Sequence, residues 1–272
     1  MIRTVQEVNR IRMDFAGILN GLNQVNSGDA SSDPELQAEV EKLPNYQKII
    51  ESLPKGYIRS QSFSDTNIWF TPASDENGVQ YVNQITNLVM GIAFSHLLAL
   101  SRGTACRGGI AIGCGTDALG KTDISQGDEV YGPVLWEAYQ LENTHAIYPR
   151  VVVSDDLVKF MTGLKRDLAS LKQGTEEFAI GVHANVHIEA FRDLTSMDCD
   201  RAIVVDYAGE LASSIFKTVL SAEGLNPQDV YHNAIEFVKS ELHRFTDERN
   251  FKLSGRYERA YRYLESCSKY WV

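Results

Sequence analysis

Residues 79–101 form a long apolar helix, and LVMGIAFSHLLAL at 88–100 is its longest apolar run. A helix of that kind is buried. Ser95 and His96 interrupt the run, and it falls short of the ~18 uninterrupted apolar residues of a membrane span. It therefore predicts the central helix of a packed core. The chain has 272 residues, 43% of them hydrophobic, enough for one sizeable core with a smaller extension.

The segments before and after this helix set the fold class. Residues 8–15 (VNRIRMDF) read as a strand ending at Asp14, although Val5, Val8, Ile11 and Phe15 also fit helical spacing. Asp33 and Pro34 give a start signal for a helix running to about Ser52. YIRSQSFS (57–64) and IWFT (68–71) predict a hairpin with Asp65 near its tip. Strands follow at 105–113, 129–131 and 150–154, with a helix at 133–146. The order predicts an α+β protein whose core, 1–155, is a ferredoxin-like βαββαβ arrangement. Residues 156–272 read as a mostly helical extension packed on that core, with helices at 156–172, 208–223, 228–246 and 255–270 and a strand-like AIVVDY at 202–207.

The formal net charge is −10, from 26 Lys and Arg against 36 Asp and Glu. That argues against nucleic acid and anionic membrane as partners, since such binding draws on a basic footprint. Cys106, Cys114, Cys199 and Cys267 are scattered and contain no C-x-x-C pair, which predicts reduced thiols. MIRTVQEVNRIRMDF at the N-terminus is charged throughout and lacks a secretory apolar run, so the expected location is cytoplasmic.

Two acids stand at chemically useful points. Asp14 closes a strand before Gly17, and Asp65 sits at the hairpin tip. Two carboxylates brought together repel and invite a dication, and Mg²⁺ or Mn²⁺ binds through one or two carboxylates plus substrate phosphates. Taken alone, Asp14 reads as a helix cap and Asp65 as a plain turn residue, and only the pair in its surroundings points to metal.

Taken together, D-F-A-G-I (14–18), S-F-S-D-T (62–66), R-G-G-I-A-I-G (107–113), Y-G-P-V-L-W-E-A-Y-Q-L-E (131–142) and Y-P-R-V-V-V-S (148–154) resemble the class III nucleotidyl cyclases. They look closest to the bacterial pyrimidine cyclases of Pycsar antiphage defence. The likeness runs in order over roughly residues 8–155, and D-C-D-R-A-I-V-V-D-Y (198–207) and K-Y-W (269–271) are similar to the same group. The resemblance implies that Asp14 and Asp65 hold two Mg²⁺ or Mn²⁺ ions. The ribose 3′-hydroxyl would attack the α-phosphorus while pyrophosphate leaves. It also implies a homodimer with shared active sites, phosphates cradled by the backbone through Phe15 and Gly17, and a separate effector that reads the cyclic nucleotide.

In the family two positions read the base, and the resemblance places Gln61 and Glu129 there. Neither the Lys/Asp pair of adenylate cyclases nor the Glu/Cys pair of guanylate cyclases is present. Tyr57 and Arg59 alternate with Gln61 and share its face, so a bulky Tyr57 would narrow the pocket toward a pyrimidine, UTP or CTP; ordinary strand packing accounts for Tyr57 equally well. One departure stands out. The positions of the family's transition-state Asn and Arg hold Trp136 and Gln140. Arg107 and Arg150 are candidate substitutes, and a structural ion pair is the competing reading for each.

Three other motifs are weaker. G-T-D-A-L-G-K-T (115–122) matches the P-loop pattern but lacks the helix that must follow. V-H-A-N-V-H-I-E (182–189) spaces His183 and His187 by four without H-E-x-x-H, in a segment that reads as a strand. R-Y-E-R-A-Y-R-Y (256–263) is a packing stripe with a solvated basic face. The expected function is pyrimidine nucleotide cyclisation in antiphage signalling. An adenylate cyclase and a degenerate, regulatory nucleotide-binding protein are the alternatives.

Overall fold

The computed structural model describes residues 58–63, 66–71, 78–117, 130–173, 175–222 and 224–272. The protein is α+β, with helices outweighing small sheets. The strand expected at 8–15 and the helix ending near Ser52 lie outside the described residues. The chain divides into two compact units, 1–88 with 119–129 and 158–192, and 89–118 with 130–157 and 193–272.

In the first unit, β1 (Arg59–Phe63) and β2 (Thr66–Phe70) form the expected antiparallel hairpin, with Phe63 opposite Thr66 and Arg59 opposite Phe70. The helix α1 (Gly78–Ser101) begins here. Its Gln84 Oε1 accepts a hydrogen bond from Thr71 Oγ1 at 2.6 Å. Further along the chain come α3 (Asp155–Gly163), a short 3₁₀ turn, and α4 (Glu176–Asp193). Asn185 pins the loop before it, accepting from Arg166 N at 2.9 Å and donating to Arg166 O at 2.8 Å. Thr86 Oγ1 lies 3.0 Å from the carbonyl oxygen of His187, which ties α1 to α4.

The α4 helix corrects the strand reading of 182–189. His183 and His187 stand one turn apart on a helix, both buried, with ring centroids 4.6 Å apart. Alternation misled here because Val182, His183, Ala184, Asn185, His187 and Ile188 are all buried, so the pattern did not separate inside from outside.

In the second unit, β3 (Gly108–Ile110), β6 (Val151–Val153), β8 (Ile203–Val205) and β7 (Thr195–Met197) form one sheet in the order β3-β6-β8-β7. β3 and β6 are parallel, and the other pairs are antiparallel. All three residues of β6 are buried, as expected of a β-branched run at the sheet centre. The strand expected at 202–207 is β8, and it lies directly beside β6. Its partner β7 was not foreseen. β4 (Thr116–Asp117) and β5 (Val130–Tyr131) form a separate antiparallel pair. Thr116 and Asp117 therefore belong to a strand ladder, not to the phosphate loop of a P-loop.

The latter part of α1 fills this core, with Val89, Leu97 and Leu100 at 0% exposure. The segment Tyr81–Ser101 is long and apolar enough to cross a membrane by length and composition, further than the 88–100 run suggested, but 72% of its apolar window is buried inside the protein. Helices α5 (Glu210–Ala222), α6 (Pro227–Asp247) and α7 (Phe251–Cys267) complete the unit. Asn226 caps α6 by accepting from Gln228 N, and Asn250 caps α7 by accepting from Leu253 N. Tyr263 of α7 donates to Asp206 Oδ1 at 2.6 Å and accepts from Ala208 N at 2.8 Å, anchoring α7 just after β8.

Candidate functional site

Of the residues assigned to the site, Arg59, Gln61 and Arg107 are described, while Asp14, Phe15, Gly17, Tyr57, Asp65 and Glu129 lie outside the described residues. Arg59 and Gln61 occupy one face of β1. Gln61 is 7% exposed and Arg59 half-buried, whereas Ser60 between them faces solvent. The strand alternation thus places the proposed base-reading Gln61 and its neighbour Arg59 inward together. The two residues joining β1 to β2 in sequence are Ser64 and Asp65.

Around the four-stranded sheet, glycines decide what approaches what. Helix α2 (Pro133–Gln140) starts after Gly132, whose φ of 122° favours glycine, and carries Pro133 in its first turn. It continues as a five-residue π-helix, Leu141–His145, closed by the Ala146 N–H donating to Leu141 O at 3.0 Å. This helix lies directly on Gly109 of β3. A Cβ there would stand 2.2 Å from the Ala138 carbonyl oxygen and 2.8 Å from Leu141 Cβ. The second glycine of R-G-G-I is therefore the residue that lets helix and strand touch. The π-helix brings Leu141 and Ala146 onto Val152 and Val204.

The carbonyl at the end of the π-helix belongs to an ion-pair centre. Arg150, 2% exposed, donates through Nε to His145 O at 3.2 Å and through Nη2 to Asp200 Oδ2 at 2.5 Å. Its Nη1 bonds Asp198 Oδ2, and the Tyr148 hydroxyl donates to the same oxygen. The guanidinium also lies 4.7 Å from the Tyr148 ring centroid. Burial opposes the charge, but Asp200, Tyr148 and Asp198 outweigh it and hold the Arg150 pKa above its ordinary value. Burial pushes the Asp198 carboxyl up, yet hydrogen bonds from Tyr148, Cys199 N and Arg150 leave it below its usual range. Arg150 lowers Asp200 as well. Every arm of Arg150 is committed within the fold, so the structural reading of this residue holds. Arg107 is also engaged, donating to Ala146 O at 3.2 Å and standing 3.6 Å from Glu142 Oε1, but its side chain remains 37% exposed.

Sequence reasoning did not pair D-C-D with Arg150. The signal was an Asp-x-Asp at a tight turn. The turn is closed by Asp198 N donating to Ala202 O at 2.9 Å, with Arg201 at a φ of 67°. Trp136 is 63% exposed and packs its ring 5.6 Å from that of Tyr139, itself 51% exposed.

The four cysteines are free, and burial pushes the Cys106 and Cys267 thiols up to about 11, away from reactive thiolate. Among the described residues no group of three or more His, Cys, Asp or Glu is placed to hold a metal ion. The assigned ligands, Asp14 and Asp65, lie outside them. No family model matches the chain, and no curated protein or solved structure is similar to it at a significant level.

Proposed function

We propose that the protein is a pyrimidine nucleotide cyclase, converting UTP or CTP to the 3′,5′-cyclic monophosphate and pyrophosphate. The observation that carries the reading is the ordered motif set from Asp14 to Ser154, within which the described hairpin turns Arg59 and Gln61 inward on the strand leading to Asp65. A ferredoxin-like core would bring the ends of the 8–15 strand and of that hairpin together. An all-oxygen donor set of two carboxylates and substrate phosphates suits Mg²⁺ or Mn²⁺.

Asp14 and Asp65 would hold two such ions, which when bound supply activation of the 3′-hydroxyl and neutralisation of charge on the leaving pyrophosphate. Gln61, with both an amide donor and an acceptor, would read the edge of the base, and Glu129 would accept from it. Arg59 shares the inward face of Gln61 and would meet phosphate charge. Arg107, partly exposed and weakly paired to Glu142, is the better placed of the two arginines to supply the cation that Gln140 does not. In this reading the protein works as a cytoplasmic homodimer with shared sites, and a separate effector responds to its product.

A second reading, a degenerate nucleotide-binding regulator, is favoured by the open Trp136 and Tyr139 pair and by the full engagement of Arg150. One experiment separates the two. The purified protein is incubated with ATP, GTP, CTP and UTP plus Mn²⁺, and cyclic monophosphate is sought by mass. Product from a pyrimidine triphosphate supports the first reading. Product from ATP alone makes the protein an adenylate cyclase. Saturable UTP binding without turnover supports the regulator.

A further inference from the structure

A cleft of about 600 Å³ lies between the Ile147–Tyr148 segment and α7, and its α7 wall carries Lys252, Arg256, Glu258, Arg259 and Arg262. We propose that this cleft binds a small polyphosphate anion.

Helical geometry supplies the first argument. Lys252, Arg256 and Arg259 are spaced by four and then three residues, so they project from one face. Like charges at these spacings repel, and the helix macrodipole adds to the cost because Lys252 sits in a first turn with no acidic residue. The only acid in the wall, Glu258, is taken by Arg262 at 2.5 Å. Lys252, Arg256 and Arg259 have no ion pair or hydrogen bond among the described residues. These three cations stand on one helix face in a chain of net charge −10.

The shape of the cleft narrows the ligand. Gly255 also lines it, and a Cβ there would meet nothing within 4 Å, so its floor is open. The volume falls in the range of small-ligand sites, not of extended surfaces. The acidic balance of the whole molecule repels a long polyanion. Several phosphoryl groups within a short span would meet successive guanidinium forks, which match phosphate oxygens bidentately. The opposite wall is fixed, because Tyr148 is 6% exposed and bonded to Asp198.

Inorganic tripolyphosphate is the probe, titrated calorimetrically into the full chain with excess EDTA. The chelator removes the divalent ions on which triphosphate binding at Asp14 and Asp65 would depend, so the inference stands or falls apart from the cyclase reading. Saturable one-to-one binding is expected, weakened about tenfold or more by Arg256→Ser with Arg259→Ser. Lys252→Gln is expected to weaken it less, and Lys239→Gln on α6 to leave it unchanged. Far-UV circular dichroism checks that each variant is folded. UTP and ATP in the same buffer distinguish a nucleotide source, which binds more tightly than tripolyphosphate, from a free polyphosphate, which does not. No saturable heat, or equal affinity in the double variant and the parent, overturns the proposal. So does an oligo-glutamate peptide that displaces the probe with higher affinity.

Discussion

Replacing Gly109 with alanine puts a methyl group where α2 touches β3. The added Cβ would lie 2.2 Å from Ala138 O, 2.8 Å from Leu141 Cβ and 3.0 Å from Glu142 N. Two of these atoms are backbone and cannot rotate away. To reach ordinary contact distance, the end of α2 must retreat by more than about 1 Å from the sheet. That also disturbs Leu141, which packs on the cluster of Ala146, Val152 and Val204. Overpacking of this kind costs about 1–3 kcal/mol, and rigid neighbours place it near the top of the range. At roughly 2–4 °C per kcal/mol for a chain of comparable size, Tm should fall by about 6–12 °C. Thermal unfolding by circular dichroism measures this, with Gly163→Ala as the control because nothing lies within 4 Å of its Cβ. If the two variants melt together, the close approach of α2 to β3 is wrong.

Other consequences follow from the same structure. Arg150→Met leaves Asp198 and Asp200 without their cation and should cost about 3 kcal/mol in urea unfolding, discounted from the usual range because Asp200 is 36% exposed. Both carboxyls have depressed folded pKa values, so their contribution is present above about pH 4, is lost as pH falls through the folded values, and should vanish from the acid profile of Arg150→Met. Burial lowers His96 to about 4, despite the Pro149 carbonyl that favours its charged form, and burial and then His183 lower His187 to about 3. Their contribution is therefore present above the unfolded value near pH 6.5 and declines below it, and His96→Phe should flatten the stability profile between about pH 6.5 and 4. Gly255→Ala, in open space on α7, should stabilise by about 0.5–1 kcal/mol in the same assay.

Local patterning carried much of the fold. The hairpin at 59–70 was legible because strand alternation flanked a short turn, and α1 because a long apolar run allows little else. Features set by distant partners were not legible. The Asp198 and Asp200 carboxylates hold Arg150 across some fifty residues. The π-helix at Leu141–His145 shares its composition with an ordinary helix end, and what distinguishes it is the contact at Gly109 and the bond from Ala146 N to Leu141 O. β7 is three residues long and reads as a strand only once β8 lies beside it. Alternation put Arg59 and Gln61 on one face of β1, and both are less exposed than Ser60 between them. The competing roles of Arg107 and Arg150 were undecided in sequence, since an arginine's partners depend on which carboxylates the fold delivers.

The proposed cyclase activity rests on the Asp65 carboxylate, so the most direct measurement is the rate of cyclic UMP and cyclic CMP formation by the parent and by Asp65→Asn, with Mn²⁺ present. If Asp65 holds metal as proposed, its loss removes several kcal/mol of charge stabilisation, and the rate should fall about 10²–10³-fold or more with the fold unchanged. Equal rates in the two proteins would contradict the two-metal account.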